Sequence, residues 1–260
     1  VSFRTLTYET RAVEGGAVAT ATLNVPEKRN AIGPEMANEL LHVLAKVADD
    51  GEVRALVLAG AGGHFCAGGN IGQMSGGDGA LDFKGDYADL LLAMVRSPKP
   101  IVAKVRGYAM GGGLGLVAAS HFALAADDAV LGTPEIHRGL FPMMIMAVLS
   151  RVVPRRPLLE MMLLGEKMTA AEGQRLGLLN RALPGAELDG AVDAMAGALA
   201  ARSPTAVAHG LRAWAAQGDM AMEHALPMLR DALAGLLGTE DAQEGIAAFL
   251  QKRKPAWTGR

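Results

Sequence analysis

An α/β core followed by a helical region is the fold class expected for this 260-residue chain. Three observations point to it. Strand-like and helix-like patterns alternate through residues 1–184. From Gly185 to Lys252 every segment reads as helix, with breaks at Ser203-Pro204, Gln217-Gly218-Asp219 and Gly238-Thr239. Two of the buried-strand patterns also run straight into glycine-rich loops, as strands of α/β folds do where they carry a site. The expected organisation is therefore a core over residues 1–184 and a helical region over 185–260.

Each element has its own reason. FRTLTYET and AVATATLNV alternate around Glu14-Gly15-Gly16, the pattern of a hairpin. Pro34 suits a first helical turn, and Met36 to Val47 has helical periodicity. VRALVLAG, from Val53 to Gly60, is a continuous apolar run of a buried strand and leads into the loop AGGHFCAGGN. Ser75 to Asp86 is polar and glycine-rich, a loop by composition; an apolar helix follows from Tyr87, and Ile101 to Val105 reads as a second buried strand. After the run RGYAMGGGLG, Leu114 to Ala119 reads as helix. In the last third, Ser203 before Pro204 is a helix cap, and Asp219 is placed to cap the next helix. Faces rich in Ala, Leu and Met on these helices call for a partner surface, so a homo-oligomer is expected.

Composition removes several function classes. Net charge is −2 and aromatic residues make up 4% of the chain, so neither a polyanion-binding surface nor base stacking is indicated. With Cys66 as the one cysteine, no intramolecular disulfide can form; a reducing, cytoplasmic setting is expected. The opening VSFRTLTYETRAVE is charged and alternating rather than apolar, unlike a signal peptide. Gly107 to Ala126 holds no Asp, Glu, Lys or Arg, but its five glycines, Ser120 and His121 argue against a membrane span. The histidines show no paired ligand spacing, so no metal is expected.

The glycine run between Arg106 and Gly115 carries the chemistry. Three glycines at a strand-to-helix junction allow a sharp turn and close approach to the main chain. A helix start there offers unpaired N–H groups. Tight helix-on-sheet packing explains such a run equally well. A phosphate cradle does not fit: no GK[ST] follows, and a GxGxxG begun at Gly113 or Gly115 ends on Ala118 or Ser120. The third reading is an oxyanion hole, donors waiting for charge that develops during reaction. HFCAGGN, from His64 to Asn70, has the same design: buried strand, small residues, then the helix-like IGQM. Two such turns can each aim one N–H at a common point.

Together the motifs PEKRNAI, HFCAGGNIGQM, RGYAMGGGLGL, GTPEIHRGLFP, LLGEKMTAAEGQRLGLLNR and FLQKRKPAW, in this order, resemble the crotonase superfamily, also called the enoyl-CoA hydratase/isomerase family. The resemblance implies a crotonase-like ββα spiral core with a C-terminal helical oligomerisation region, assembled as a trimer or hexamer. It implies an acyl-CoA substrate, with coenzyme A entering as part of the thioester and no separate cofactor. The thioester oxygen would sit between the N–H of the residue before the glycine in an FxAGxD pattern, which falls on Ala67, and that of the middle glycine of the GGG, Gly112. Lys28 and Arg29 fall where the family approaches the CoA phosphates or ribose. Ala31, Cys66, Gly68, Asn70, Gly111 and Phe141 fall along the substrate. Asn70 replaces the acidic residue of the pattern and suits a cap for the following helix.

Hydratases of the family use two glutamates, one just after the GGG run and one in the PE motif. The second is Glu135; at the first this chain has Gly115. A single carboxylate suits double-bond isomerisation, where one group takes a proton from C2 and returns it to C4. Glu135 is expected to be desolvated by Leu140, Phe141 and Met143, raising its pKa. Met143, Met144 and Met146 are expected to line the core, Cys66 to be a core residue, and His64 and His137 to flank the site with surface or supporting roles rather than catalytic ones. The alternatives are enoyl-CoA hydration or 3-hydroxyacyl-CoA dehydration, and a CoA-binding protein without turnover.

Overall fold

The computed structural model describes residues 2–70 and 81–260. The expected IGQM helix start and the first half of the Ser75 to Asp86 loop lie outside the described residues. A hairpin opens the chain: β1 (Leu6–Val13) pairs antiparallel with β2 (Gly16–Leu23), Val13 facing Gly16 across Glu14-Gly15. Gly15 adopts φ +89°, a left-handed conformation that suits glycine. From β2 onward the main sheet is parallel, running to β3 (Val53–Gly60), β4 (Ile101–Val105), β6 (Phe122–Ala126) and β9 (Arg181–Leu183). A second sheet stands apart: β5 (Tyr108–Met110) pairs parallel with β7 (Val130–Gly132), which pairs antiparallel with β8 (Lys167–Thr169).

Helices cover both faces of the main sheet. On one face α1 (Pro34–Asp49), α2 (Tyr87–Val95) and α3 (Gly112–Ala119) close the larger core, where Leu56, Leu58, Leu90, Ile101, Leu114 and Leu116 are buried. Around them lie α4 (Met143–Leu149), α5 (Arg155–Leu164) and α6 (Ala170–Arg175). α6 is started by a capping box: the Thr169 hydroxyl accepts from the Glu172 N–H, and the Glu172 carboxylate accepts from the Thr169 N–H. On the opposite face α7 (Leu188–Ala200) lays Leu188, Val192, Ala196 and Ala200 onto Val18, Val57, Val102 and Leu124. α7, assigned by its sequence to the helical region, is one layer of the core.

Beyond α7 come α8 (Pro204–Gln217), α9 (Met222–Leu237) and α10 (Glu240–Leu250). Ser203 caps α8, accepting the Ala206 N–H at 3.0 Å. Asp219 does not cap α9, which starts after Ala221 with no side-chain cap; its carboxylate pairs with Arg151 at 2.8 Å instead. The twenty residues weighed as a membrane span divide into β5, α3 and β6. Among the described residues no helix is long and apolar enough to cross a membrane.

Candidate active site

The site forms where two loops are held at backbone distance. After β3, residues 65–70 are clamped on both sides. Phe65 and Cys66 donate their N–H groups to Arg106 and Tyr108 at 2.8 and 2.9 Å, and Met110 N–H returns to Cys66 O at 3.0 Å. On the other side Ile32 N–H donates to Gly68 O and Asn70 N–H to Ile32 O, both at 2.8 Å. The PEKRNAI segment can serve as a rail because buried Asn30 fixes its turn. Asn30 takes the Val25 N–H and gives its amide hydrogens to Ala61 O and His64 O at 2.8 and 2.7 Å. Arg29 and Asn30 themselves sit at φ +49° and +56°, a strained stretch this network holds in place.

The same clamp corrects one assignment. Ala67 N–H donates to Arg29 O at 2.9 Å, so it is committed within the chain and cannot wait for a substrate oxygen. Gly69 N–H has no acceptor among the described residues, and its nitrogen lies 3.7 Å from where a Cβ on Gly112 would stand. The N–H that faces Gly112 is two residues further on than expected. A signal was in the sequence: a run of two glycines, Gly68-Gly69, in a loop that needs main chain exposed.

Gly111 forms the turn into α3 with φ +47° and ψ −121°, open only to glycine, and its N–H donates to Gly132 O at 2.8 Å. Gly112 is thus the first residue of α3, with a helix-start N–H that no acceptor among the described residues takes. Gly113 seats the helix on the first loop, since a Cβ there would stand 2.4 Å from Cys66 O.

Glu135 comes from a short 3-10 turn, Pro134–Arg138, directly after β7 and buried Thr133. Its Oε1 would lie 2.7 Å from a Cβ on Gly111, so the carboxyl stands against the turn that starts α3. Oε2 is buried with no hydrogen-bond partner among the described residues. Burial raises the carboxyl pKa above 4.5, opposed by a backbone N–H and by Arg138. Of the three residues expected to cover it, Phe141 is half-buried, while Leu140 and Met143 are 48% and 64% exposed. Met144 and Met146 face outward too, and Ile145, Val148 and Leu149 are the buried residues of α4.

At position 115 the structure leaves no room. A Cβ on Gly115 would meet the Tyr87 hydroxyl at 2.3 Å and Ile145 Cγ2 at 2.4 Å. Tyr87 opens α2, and its hydroxyl donates to Gly112 O at 2.5 Å. Position alone in the sequence offered no hint of this residue.

Cys66 is fully buried and its N–H and C=O both pair with β5, so it offers nothing to a ligand; burial pushes its thiol up to about 11. Phe141 is half-buried against the larger core. Lys28 and Arg29 are exposed, with the Arg29 guanidinium 5.6 Å from the Tyr108 ring centre; Lys167 approaches the same ring at 5.8 Å. Gly68 takes φ +116° and lends its carbonyl to Ile32. Asn70 is bonded through its N–H, and the helix it was expected to cap lies outside the described residues. His64 stacks on Tyr108 and accepts its N–H, a packing role. No group of three His, Cys, Asp or Glu side chains suited to a metal ion occurs among the described residues.

Residues 14–260 match the family model described as enoyl-CoA hydratase/isomerase. The chain belongs to this family. It is 33% identical over 259 residues to a probable enoyl-CoA hydratase of Mycobacterium tuberculosis, covering 98% of this chain and 100% of that one. A putative enoyl-CoA hydratase of Thermus thermophilus is 34% identical over 249 residues, covering 94% and 98%. Among solved structures, an enoyl-CoA hydratase of Mycobacterium smegmatis superposes with a TM-score of 0.89 at 34% identity, covering 98% and 99%. The fold is accordingly the crotonase fold. Within this enoyl-CoA hydratase/isomerase family member, the paired glycine loops and Glu135 converge on one place, while Gly115 and Tyr87 set its limits.

Proposed function

We propose that this protein moves the double bond of an enoyl-CoA, stabilising a thioester enolate between the N–H groups of Gly69 and Gly112 and using Glu135 as the only acid/base. The single observation that carries the reading is the closed space at Gly115, filled by Tyr87 and Ile145, together with a Glu135 carboxyl whose Oε2 has no partner among the described residues. With a 3-enoyl thioester bound, Glu135 takes a proton from C2. The electrons spread through C2 to C4 and onto the thioester oxygen, where the two N–H groups meet the charge. Glu135 returns the proton at C4, leaving the 2-enoyl thioester. No water is consumed, so a second carboxylate to activate one is not needed.

Arg29 and Lys28, on the exposed turn beside the first loop, are assigned to the CoA phosphates, with Ala31, Gly68, Asn70, Gly111 and Phe141 along the thioester and acyl chain. Cytoplasmic residence and a trimer or hexamer complete the proposal. The apolar side chains on the outer helices support assembly: Trp214, Met222, Leu226, Phe249 and Leu250 are all more than half exposed.

Hydration is the second reading, favoured by the names of the relatives. Mass spectrometry of the products from a panel of 2-enoyl- and 3-enoyl-CoA thioesters separates the two. Conversion of a 3-enoyl thioester to its 2-enoyl isomer at unchanged mass is the expected result; gain of one water replaces isomerisation by hydration, and binding without turnover leaves a CoA-binding protein.

A further inference from the structure

We propose that Tyr87 is a positioning residue for this reaction: supplied from α2, its hydroxyl holds the first turn of α3 so that the Gly112 N–H stays aimed at the thioester oxygen. The inference rests on the reading above. Its basis is geometric. The Tyr87 hydroxyl donates to Gly112 O at 2.5 Å and stands 3.6 Å from where a Gly112 Cβ would be. It also occupies the space that a side chain at position 115 would enter.

Such a pin has a reason to exist here. Gly111, Gly112 and Gly113 follow one another, the most flexible backbone a helix start can have. α3 has no side-chain N-cap to fix the direction of its first N–H groups. Among the described residues, Tyr87 provides the side-chain hydrogen bond to this turn. A donor that wanders loses most of its value to an oxyanion, because the benefit lies in its being oriented before charge develops.

Tyr87 is itself held firmly. Asp86 caps α2 through the N–H groups of Ala88 and Asp89, and Asp89 answers by accepting the Asp86 N–H at 2.9 Å. Just before it, buried Asn38 of α1 accepts the Lys84 N–H at 2.6 Å and donates to Asp82 O at 3.1 Å. The start of α2 is thereby tied to α1, and the phenol to α3. Burial, together with Cys66 and Glu135, keeps the phenol pKa well above 10, so its hydrogen stays available to Gly112 throughout the working pH range.

Tyr87→Phe removes one oxygen and keeps the ring. The test compares steady-state kinetics on the 3-enoyl thioester, thermal midpoints, and calorimetric affinities for a saturated acyl-CoA and for a 3-ketoacyl-CoA, whose enolate carries charge on the thioester oxygen. A positioning role gives a fall in kcat of about ten- to a hundredfold with KM within about twofold. It also gives at least about fivefold weaker binding of the 3-ketoacyl-CoA with the saturated thioester unchanged. Unaltered kcat and affinities overturn the inference while the reaction assignment stands. Equal losses for both thioesters, or a collapsed thermal midpoint, overturn it in favour of a structural role. Wild-type protein that neither turns over nor binds any of these thioesters overturns the reaction assignment, and this inference with it.

Discussion

Glu135 combines two properties that pull against each other. Desolvation raises its carboxyl pKa, and Oε2 has no partner among the described residues, which makes the ionised form costly to the fold. A group whose folded pKa lies above its unfolded one adds stability at low pH and loses it as pH rises through the folded value. Glu135→Gln is therefore expected to abolish turnover, by about a hundredfold or more, while its thermal midpoint at neutral pH equals or exceeds that of wild type. The acidic limb of kcat/KM should have its midpoint above 4.5, since the base must be ionised, and a pH profile checks this. Gly69 gives a second contrast. A Cβ there meets nothing within 4 Å among the described residues, so Gly69→Ala should keep near-wild-type activity. Gly69→Pro removes the N–H and should cost about a hundred- to a thousandfold in kcat in a folded protein. The PE motif and the glycine run drew Glu135 and Gly112 out of the sequence as candidates. Which N–H of the first loop is free was not, because it depends on Arg29 O arriving from a segment 38 residues away.

At the scale of elements, β2 to β4 and α1 to α3 could be read from pattern because each buries several residues, and β1, which buries only Leu6, because it alternates across a glycine turn from β2. β5, β7, β8 and β9 span three residues each, too short for alternation to show; β5, β7 and β8 pair with one another and β9 with the edge of β6. The methionines of α4 misled for a related reason: composition marks a segment as apolar without saying which face turns inward. The junction of α3 and β6 yields a prediction. His121 Nδ1 accepts the Ile101 N–H of β4 at 3.1 Å, and burial lowers its pKa to about 4. Above about 6.5 both folded and unfolded forms are neutral. As pH falls from there towards 4 the unfolded chain takes up a proton that the fold refuses, so stability drops, by about 3 kcal/mol at most. Denaturant melts of wild type and His121→Asn across this interval should show the slope reduced in the variant.

Across the whole molecule, the outer helices are fastened to the core by a polar lock. Asp241, 1% exposed, accepts hydrogen bonds from the Ser203 hydroxyl at 2.7 Å and from the Thr258 and Gly259 N–H groups at 2.8 and 3.1 Å. Burial pushes its carboxyl up, and these bonds outweigh that and hold it below the usual range. Trp257 adds a bond from its indole N–H to Ala201 O at 3.0 Å. Asp241→Ala strands these donors and should lower stability by about 2–4 kcal/mol in a denaturant melt. The apolar residues left on α8, α9 and α10 predict sedimentation as a trimer or hexamer, with Phe249→Glu shifting the protein towards smaller species.

The buried thiol beneath the glycine turn has a practical meaning. Cys66 is the chain's one cysteine, it is fully buried, and its pKa of about 11 leaves almost no thiolate at neutral pH. It carries Gly113 on its back, with Cβ atoms that would be 2.7 Å apart. Lifting of α3 from the first loop would uncover it to a thiol reagent. The rate of alkylation is therefore a native clock for breathing of this pair of loops, read without any label being introduced.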